Sequence, residues 1–500
     1  MPKIINRGNF SQITEEADFE FLTALDSYLS FVVPGAQYTK AYKGFQDKKG
    51  NFQRWDGTRR ILTSRLEFPT GLIPKVQKFY AQQSRDVEMV DSRPPRSPDQ
   101  KIDISEVLKS INKVPFDYQL EALEAAKEND RGIIKAATGA GKTLIASLIA
   151  AEFGKKTIVY VIGTDLLYQF YELFKSIFGD RAGIVGDGNC RIADFNVCSI
   201  WSVGQALGMK KGEILLDSED EEETFNASNK QDILKLLAEA KTHIVDECHM
   251  SACETIQQIY KHINSCERIY GLSGSPWRDD NADLLVEGLL GRYIIDIPAS
   301  LLIERGFLAK PIIHFMNVPT YAGEITNNYK AVYNAYIARN EVRNDMVVRA
   351  TKMLTQQGYT TLVLFNNINH GKILYEMLKE EVPTVLLSGD DPIEEREAAK
   401  KQLTDGTKKV LVASRIADIG WDCPVLSGLV LAGGGKSTVR AIQRIGRVIR
   451  KYPGKTVAGV VDFIDNVKFL DKHSKIRHKI YTSEPGFEVH WPTKKKKRSR

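Results

Sequence analysis

Short, nearly continuous runs of Val, Ile and Leu recur along the chain and alternate with stretches of helical periodicity. The first set lies at residues 132–137, 156–164, 181–187, 195–200, 242–247 and 268–276. The second set lies at residues 360–367, 383–390, 408–414, 427–434 and 456–465. Because strands covered by helices on both faces need apolar side chains throughout, these runs predict two α/β lobes with parallel sheets. We place lobe 1 at 101–310 and lobe 2 at 311–480, joined through residues 300–315.

The first 90 residues have a different pattern. The segments FVVPG, YTKAYKGF and RRILTSRLEF predict short strands, and residues 71–82 predict a helix. We therefore expect a small α+β domain over residues 1–90. Residues 91–100 (DSRPPRSPDQ) hold three prolines and no large apolar side chain, which is typical of a linker. Few contacts should cross such a boundary, and a chain without residues 1–95 should fold.

Length and composition exclude several classes of protein. A chain of 500 residues suggests about three domains of roughly 150 residues each. The 43% hydrophobic and 26% charged residues are typical of a globular protein and exclude a collagen-like or largely disordered one. No run approaches the ~20 apolar residues of a membrane helix, and no signal-peptide core is visible, so we expect a cytoplasmic protein without membrane contact. Six cysteines without a CxxC pair favour a reduced protein and argue against zinc.

Charge is distributed unevenly along the chain. The formal charge of +6 resides in the tail 494–500 (KKKKRSR), so the remainder is neutral overall. Residues 38–80 hold ten Lys or Arg against three Asp or Glu, whereas residues 212–223 hold seven acids and no base. The basic regions suggest a polyanionic partner, with an ordinary solvated surface as the alternative.

A glycine-rich segment, Ala136 to Thr143 (AATGAGKT), lies between an apolar run and a helical one. Its glycines let the backbone turn so that successive N–H groups point at phosphate oxygens. The lysine reaches the β- and γ-phosphates, and the threonine hydroxyl can hold Mg²⁺. Alanine replaces the usual first glycine, a small departure. The predicted nucleotide contacts are Thr138, Gly139, Ala140, Gly141, Lys142 and Thr143.

Two adjacent acids, Asp246 and Glu247, close the apolar run THIV about 100 residues after GKT. A carboxylate at the end of a strand beside the phosphate loop is placed to bind Mg²⁺, a role we assign to Asp246. The next carboxylate, Glu247, can polarise the water that attacks the γ-phosphate. The two motifs together predict hydrolysis of a nucleoside triphosphate.

The motifs AATGAGKT, DECH (246–249), SGS (273–275) and QRIGRVIR (443–450) occur in the order seen in superfamily 2 helicases. This resemblance covers about residues 115–465 and implies two RecA-like lobes with ATP between them. Tyr118 and Gln119 resemble an adenine-reading Q motif, Gly420 and Asp422 resemble motif V, and Phe365-Asn366 resembles motif IV. The resemblance also implies that coupling between nucleotide and nucleic acid involves His249, Ser273, Ser275 and Gln443.

Two arginines of QRIGRVIR complete the predicted catalytic set. Arg447 and Arg450 are three residues apart, so on a helix they would share a face. From lobe 2 they could reach the γ-phosphate as arginine fingers and neutralise the charge that develops there. The predicted catalytic residues are Lys142, Asp246, Glu247, Arg447 and Arg450.

Further details narrow the resemblance. RWDG (54–57), FPTGLIPKVQKF (68–79) and VVDFID (460–465) are similar to the phage UvsW-type recombination helicases, whose motor is related to XPB and RecG. The resemblance implies remodelling of branched DNA and an N-terminal domain that grips DNA. Aromatic residues among the basic ones suit stacking on bases, although Trp55 fits a core position better. The basic excess predicts DNA contacts at Lys43, Arg54, Arg59 and Arg60. The resemblance implies further contacts at Thr164, Gln169 and Ser414, which resemble the strand-contacting motifs Ia and V.

The sequence thus predicts a monomeric, ATP- and Mg²⁺-dependent DNA helicase or translocase acting on branched, duplex and single-stranded DNA. A DExH-type RNA helicase is one alternative, since 2′-hydroxyl contacts decide between the polymers. A translocating subunit of a restriction-type complex is another, although no PD-(D/E)xK nuclease pattern is visible. Intact GKT, DE and arginine motifs argue against a binding protein with a degenerate ATP site.

Overall fold

Sheets of four, eight and seven strands organise the chain. The computed structural model describes residues 1–46, 52–209, 226–274, 282–319, 327–388, 391–414, 423–435 and 438–492. The chain divides into two compact units, Met1–Ala136 with Gly141–Asp296, and Ala137–Ala140 with Ile297–Arg500. In the described part of the chain, no helix is long and apolar enough to span a membrane.

The N-terminal unit, residues 1–90, is α+β as predicted. Its strands are β1 Lys3–Asn6, β2 Phe10–Thr14, β3 Ser30–Val32, β4 Phe45–Gln46, β5 Phe52–Gln53, β6 Thr58–Arg60, β7 Glu67–Pro69 and β8 Glu88–Asp91. Its helices are α1 Phe19–Tyr28, α2 Lys40–Lys43 and α3 Ile73–Gln82. The main sheet has the order β7-β2-β1-β8. The predicted strand YTKAYKGF is wrong, because the Thr39 hydroxyl accepts the Tyr42 N–H at 3.2 Å and begins helix α2.

The first lobe contains an eight-stranded, mainly parallel sheet in the order β12-β11-β13-β10-β14-β15-β9-β16. Its strands are β9 Arg131–Ala136, β10 Thr157–Val161, β11 Ala182–Gly186, β12 Asn189–Arg191, β13 Phe195–Ser199, β14 Thr242–Asp246, β15 Arg268–Ser273 and β16 Tyr293–Ile297. Its helices are α4 Ser105–Ser110, α5 Asp117–Glu128, α6 Lys142–Phe153, α7 Thr164–Phe178, α8 Ile200–Ala206, α9 Lys230–Glu239, α10 Glu254–His262 and α11 Asp283–Leu290. All six apolar runs predicted for this lobe are strands.

The second lobe contains a seven-stranded sheet in the order β19-β20-β18-β21-β22-β17-β23, and all its pairings are parallel. Its strands are β17 Lys310–Val318, β18 Thr360–Leu364, β19 Thr384–Leu387, β20 Val410–Ala413, β21 Leu426–Val430, β22 Val457–Asp465 and β23 Glu488–His490. Its helices are α12 Ala299–Glu304, α13 Tyr329–Tyr333, α14 Glu341–Gln356, α15 Ile368–Lys379, α16 Ile393–Thr404, α17 Thr438–Val448 and α18 Leu470–Ser483. The two α/β lobes with parallel sheets predicted from the apolar runs are confirmed, as is the RecA-like fold that the resemblance implied.

The N-terminal unit shares a hydrophobic core with the first lobe. Its core residues, among them Phe68 and Leu72, form one cluster with Ala282 and with Leu285 of α11. Polar contacts cross as well: the Asn9 side chain donates to the Ile263 carbonyl at 2.9 Å. The prediction of few crossing contacts is therefore wrong. Deleting residues 1–95 is now expected to expose apolar surface on the first lobe rather than leave an intact motor.

The segment 91–100 lacks regular structure after β8, as its prolines predict, yet it is fastened to the first lobe. Arg268 donates two hydrogen bonds of 2.9 Å to the Asp99 carboxylate. Lys155 Nζ donates to the Ser97 carbonyl at 2.6 Å, and the Gln100 N–H donates to the Phe153 carbonyl at 3.0 Å. Linker composition thus predicts the absence of helix and strand here, but not freedom of movement.

The PTGLIP segment (69–74) packs closely against α11. A Cβ atom at Gly71 would lie 2.2 Å from the Glu287 carbonyl oxygen and 2.6 Å from that of Gly288. Only glycine allows backbones to approach this closely. The Lys75 ammonium lies 3.2 Å from the Glu287 carboxylate and adds an ion pair beside this contact.

We expect Gly71→Ala to destabilise the first compact unit by about 1–3 kcal/mol, because the added methyl group overpacks a backbone contact. Thermal unfolding followed by calorimetry checks this expectation. Gln82→Ala, at an exposed position on the neighbouring helix α3, serves as the control and should unfold with the wild type. Identical unfolding of Gly71→Ala and wild type would contradict the close approach.

Candidate functional site

The chemically active segments of the first lobe follow three adjacent strands. β14 pairs with β15, β15 pairs with β9, and both pairings are parallel. The carboxyl ends of these strands therefore lie at the same edge of the sheet, where α/β folds bind ligands. The phosphate loop, residues 138–143, follows β9, Asp246 ends β14, and Ser273 ends β15. Motifs far apart in sequence are thus gathered at one place.

The phosphate loop has the backbone that its glycines predict. Gly139 and Gly141 have φ angles of 92° and 76°, in the left-handed region that favours glycine. Helix α6 begins directly after them at Lys142, so its first N–H groups face the loop. The Gln119 amide lies against this turn, since a Cβ atom at Gly141 would be 2.5 Å from Gln119 Nε2. The glutamine of the segment that resembles a Q motif thus lies beside the phosphate loop, and its contact with a nucleotide stays a prediction.

The aromatic residue beside Gln119 differs from the predicted one. Tyr118 is only 1% exposed and packs in the core, where burial raises the pKa of its hydroxyl to about 12. Phe116 is 41% exposed and stacks on Tyr118 with ring centroids 5.7 Å apart. Its N–H donates to Gln119 Oε1 at 3.0 Å. The exposed ring next to the Q-motif glutamine is therefore Phe116, which the sequence analysis missed.

Glu247 is the centre of the polar cluster. Its φ and ψ angles of 46° and 54° lie in the left-handed region, a strained conformation for a non-glycine residue that is frequent at functional sites. Lys142 Nζ lies 3.0 Å from Glu247 Oε1. The Ser273 hydroxyl donates to Oε2 at 3.2 Å, and His249 Nδ1 lies 3.4 Å from the same oxygen. Two predicted coupling residues, Ser273 and His249, therefore contact the carboxylate of the predicted base, Glu247.

The two acids of the DECH motif have opposite electrostatic environments. Burial raises the pKa of Asp246 to about 7, opposed by the Lys142 ammonium and assisted by the neighbouring Glu247 charge. Burial alone would also raise the pKa of Glu247, but the Lys142 ammonium and His249 hold it well below its usual range. Glu247 is thus held ionised, in the state that a base requires.

Asp246 has the properties of a cation ligand. It is 2% exposed, and within the described ranges its Oδ1 has no hydrogen-bond partner. A buried carboxylate oxygen without a partner is costly unless a cation compensates it. Thr143 lies in the first turn of α6, beside the ion-paired Lys142. A carboxylate and a hydroxyl are oxygen donors of the kind Mg²⁺ takes, so the donor set fits this ion.

The two predicted arginine fingers do not share a helix. Arg447 lies in the last turn of α17, which ends at Val448. Arg450 lies beyond this end and forms an antiparallel bridge with Leu308. The prediction of one helical face for both is therefore wrong, because pairing with the segment before β17 takes over the chain. Gln443 lies half-buried on α17, and its neighbour Arg444, which we did not single out, donates to Asn366 Oδ1 at 3.1 Å.

The predicted DNA contacts of the N-terminal unit fall into two groups. Arg60 is paired with Asp56 at 2.6 Å and with Asp26 at 3.2 Å, and Arg59 lies 3.6 Å from Glu254. Lys43 and Arg54 are exposed, and the Arg54 guanidinium lies 5.6 Å from the centre of the Tyr42 ring. Phe52 and Tyr38 are 66% and 77% exposed, whereas Trp55 is half-buried and donates its ring N–H to the Thr58 carbonyl. The exposed aromatic and basic side chains suit stacking and phosphate contact.

The remaining predicted residues are placed as follows. Thr164 begins α7 directly after β10, Gln169 lies half-buried on the same helix, and Ser414 follows β20. Ser275, Gly420 and Asp422 lie outside the described residues, as do the basic tail (494–500) and the acidic stretch (212–223). The roles of all these residues stay predictions.

Three protein families match parts of the chain. The model for the N-terminal region of the DNA helicase UvsW matches residues 5–90, that for the res subunit of type III restriction enzymes matches 99–278, and that for the helicase conserved C-terminal domain matches 343–452.

Individual relatives agree with these families. The ATP-dependent DNA helicase uvsW of Enterobacteria phage T4 is 25% identical over 495 residues, covering 94% of this chain and 92% of the relative. The DNA 3'-5' translocase XPB2 of Sulfurisphaera tokodaii is 25% identical over 420 residues, covering 75% of this chain and 85% of the relative. The solved structure of S. cerevisiae Dbp5 bound to RNA and ADP BeF3 shares the fold, at 15% identity and a TM-score of 0.53 over 77% of this chain and 91% of that one.

The fold and these matches identify an ATP-hydrolysing DNA helicase whose motifs resemble those of superfamily 2. Within this class the chain resembles the UvsW-type helicases, from its N-terminal unit through both lobes.

Proposed function

We propose that this helicase remodels branched DNA in recombination and repair, by migrating junctions and reversing stalled forks. The supporting observation is the continuous core between the N-terminal unit and the first lobe, formed by Leu72 and Leu285 among others. A unit with exposed rings and cations, such as Phe52 and Arg54, is thereby fixed to the lobe that carries the phosphate loop. A DNA arm held by this unit would move with the ATP-binding lobe.

ATP hydrolysis is assigned to residues of both lobes. Lys142 and the N–H groups at the start of α6 bind the phosphates, and Gln119 contacts the base edge of the nucleotide. Glu247, held ionised, accepts the proton of the attacking water. Arg447, with Arg450, supplies positive charge to the γ-phosphate as the transition state forms. Ser273 and His249 contact Glu247, so they can report its state to the rest of the lobe.

Mg²⁺ would be held by Asp246 and the Thr143 hydroxyl. When bound, the ion neutralises charge on the phosphates. Asp246 would set the position of the ion, because this side chain is buried at the end of β14.

ATPase activity titrated with single-stranded, duplex, forked and four-way DNA, and with RNA of the same sequence, tests this function. We expect the strongest stimulation per nucleotide from forks and junctions, together with conversion of these substrates to remodelled products. Equal stimulation by RNA would favour the alternative of a DExH-type RNA helicase. Stimulation by all duplexes without any change of junction products would instead indicate a simple translocase.

The double variant Phe52→Ala, Arg54→Ala separates gripping from hydrolysis. We expect about tenfold weaker binding of forked DNA, because stacking and a phosphate contact are lost together. ATPase activity at saturating single-stranded DNA should change little. Both residues belong to the N-terminal unit, and neither belongs to the sheet that carries the phosphate loop. Lys472→Ala, at an exposed position on α18, is the control for loss of surface charge. Unchanged fork binding by the double variant would contradict a gripping role for this surface.

A further inference from the structure

Four consecutive backbone carbonyls after β21, those of residues 432–435, each accept a hydrogen bond from a side chain. The hydrogen bonds join Arg343 to Ala432 at 2.6 Å, Asn366 to Gly433 at 2.9 Å, Arg444 to Gly434 at 3.2 Å and Arg477 to Gly435 at 2.6 Å. In each bond a side-chain nitrogen donates to the carbonyl oxygen. The donors come from α14, the end of β18, α17 itself and α18. Each of residues 432–435 is therefore held by a side chain from a neighbouring element.

Arg343 and Arg477, which hold the first and last of these carbonyls, are themselves anchored by β22, the strand that contains VVDFID. Arg477 donates from Nε and Nη2 to the two oxygens of Asp462, both at 2.8 Å. Arg343 Nε donates to Asp465 Oδ1 at 2.7 Å. All four side chains are at most 4% exposed. Buried ion pairs recover little net free energy after desolvation, so their value lies in fixing geometry. Each guanidinium fork spans a carboxylate and a loop carbonyl, which a point charge could not do.

The loop sequence matches this clamping. A Cβ atom at Gly433 would lie 2.8 Å from the Asn366 backbone nitrogen, so no side chain fits there. Gly434 and Gly435 have φ angles of 60° and 120°, which favour glycine. Helix α17 begins at Thr438, three residues after Gly435, and carries Arg447 in its last turn. Arg444 of α17 itself donates to the Gly434 carbonyl, so the clamped residues 432–435 also contact this helix directly.

We propose that Arg343 and Arg477 are positioning residues for ATP hydrolysis: they clamp the loop at residues 432–435, and through it α17, so that Arg447 is aimed at the γ-phosphate. Asp465 and Asp462 are the anchors of this clamp. This inference rests on the proposed role of Arg447, and it extends the catalytic apparatus to α18, beyond the segment 343–452 that matches the helicase C-terminal family.

Arg477→Lys is the direct test, because lysine keeps a positive charge beside Asp462 but cannot also reach the Gly435 carbonyl. We expect kcat of the DNA-stimulated ATPase to fall about 10- to 100-fold, the effect of a small misplacement of a catalytic group. KM for ATP should stay within about twofold, because positioning of Arg447 affects the transition state. Tyr481→Phe is the matched control: it removes a 3.3 Å hydrogen bond to Asp462 but leaves the loop untouched, and kcat should be retained.

A double-mutant cycle with Arg447→Ala distinguishes positioning from general stability. If Arg477 acts through Arg447, Arg477→Lys should have less than about a threefold further effect on kcat in the Arg447→Ala background. Multiplying effects, or wild-type kcat for Arg477→Lys alone, would overturn the inference. Wild-type kcat for Arg447→Ala would overturn the proposed role of Arg447 instead. Should Arg477→Lys fail to fold, Arg343→Lys replaces it in the cycle, and unfolding of both variants would assign the network to stability alone.

Discussion

Replacing Glu247 by glutamine is expected to lower kcat for ATP hydrolysis by about 10²- to 10⁴-fold, the contribution of a positioned general base. Glutamine keeps the shape of the side chain but accepts no proton. ATP binding should not weaken, because the variant also removes the charge that holds Lys142 Nζ at 3.0 Å, leaving this ammonium available to phosphate. Single-turnover hydrolysis and nucleotide binding measured separately check both expectations.

Lys142→Ala provides the contrast, since it removes a phosphate ligand and should weaken nucleotide binding as well as turnover. Ser273→Ala removes the 3.2 Å hydrogen bond to Glu247 and leaves its charge, so its effect on kcat should be much smaller. Hydrolysis by Glu247→Gln at a rate near that of the wild type would show that another group activates the water.

The strands of both lobes could be predicted because they are buried on two faces. Such strands consist of almost uninterrupted apolar residues, as in TIVYV of β10, and the signal needs no knowledge of neighbours. β17 was missed and assigned to the joining segment, because its residues alternate between buried and exposed along Lys310–Val318. β1 and β2 were missed for a related reason: they have four and five residues, and only partial burial.

The gathering of the phosphate loop and the two acids at one sheet edge could be predicted because each motif is local in sequence. GKT and Asp246-Glu247 need only a strand before them, and the parallel sheet then brings them together. The coupling roles of His249 and Ser273 came from the resemblance alone, and their convergence on Glu247 is visible only in the structure. Either Tyr118 or Phe116 could be the exposed aromatic ring. Which of them is exposed depends on how α5 is rotated against the core, and the sequence does not determine this rotation.

The clamp on the 432–435 loop left no signal in the sequence. Arg343 and Asp465 are 122 positions apart and belong to no shared motif. Isolated charged residues are usually solvated, so composition predicts exposure for them. Only the packing of α14 and α18 beside β22 makes them buried partners. The docking of PTGLIP against α11 was invisible for the same reason, since its contact with Glu287 joins residues far apart in the chain.

Arg447→Ala is expected to lower kcat by roughly 10³-fold or more, as removal of arginine fingers does in related phosphoryl transfer. ATP affinity should change far less, because the finger acts on charge that develops only in the transition state. Lysine should restore little activity, since a compact ammonium lacks the planar fork of a guanidinium. Steady-state ATPase assays with saturating DNA, together with nucleotide binding, check these values.

Arg450→Ala is the informative companion, because Arg450 lies beyond the end of α17 and pairs with Leu308 through its backbone. A truncated side chain leaves this bridge in place, so a fall in kcat would report on the guanidinium itself. DNA binding without nucleotide should survive in both variants. Near-normal ATPase with weaker, more salt-sensitive DNA binding would mean that these arginines contact DNA phosphates, since such contacts release counterions on binding. Hydrolysis would then depend on a different cation of the chain.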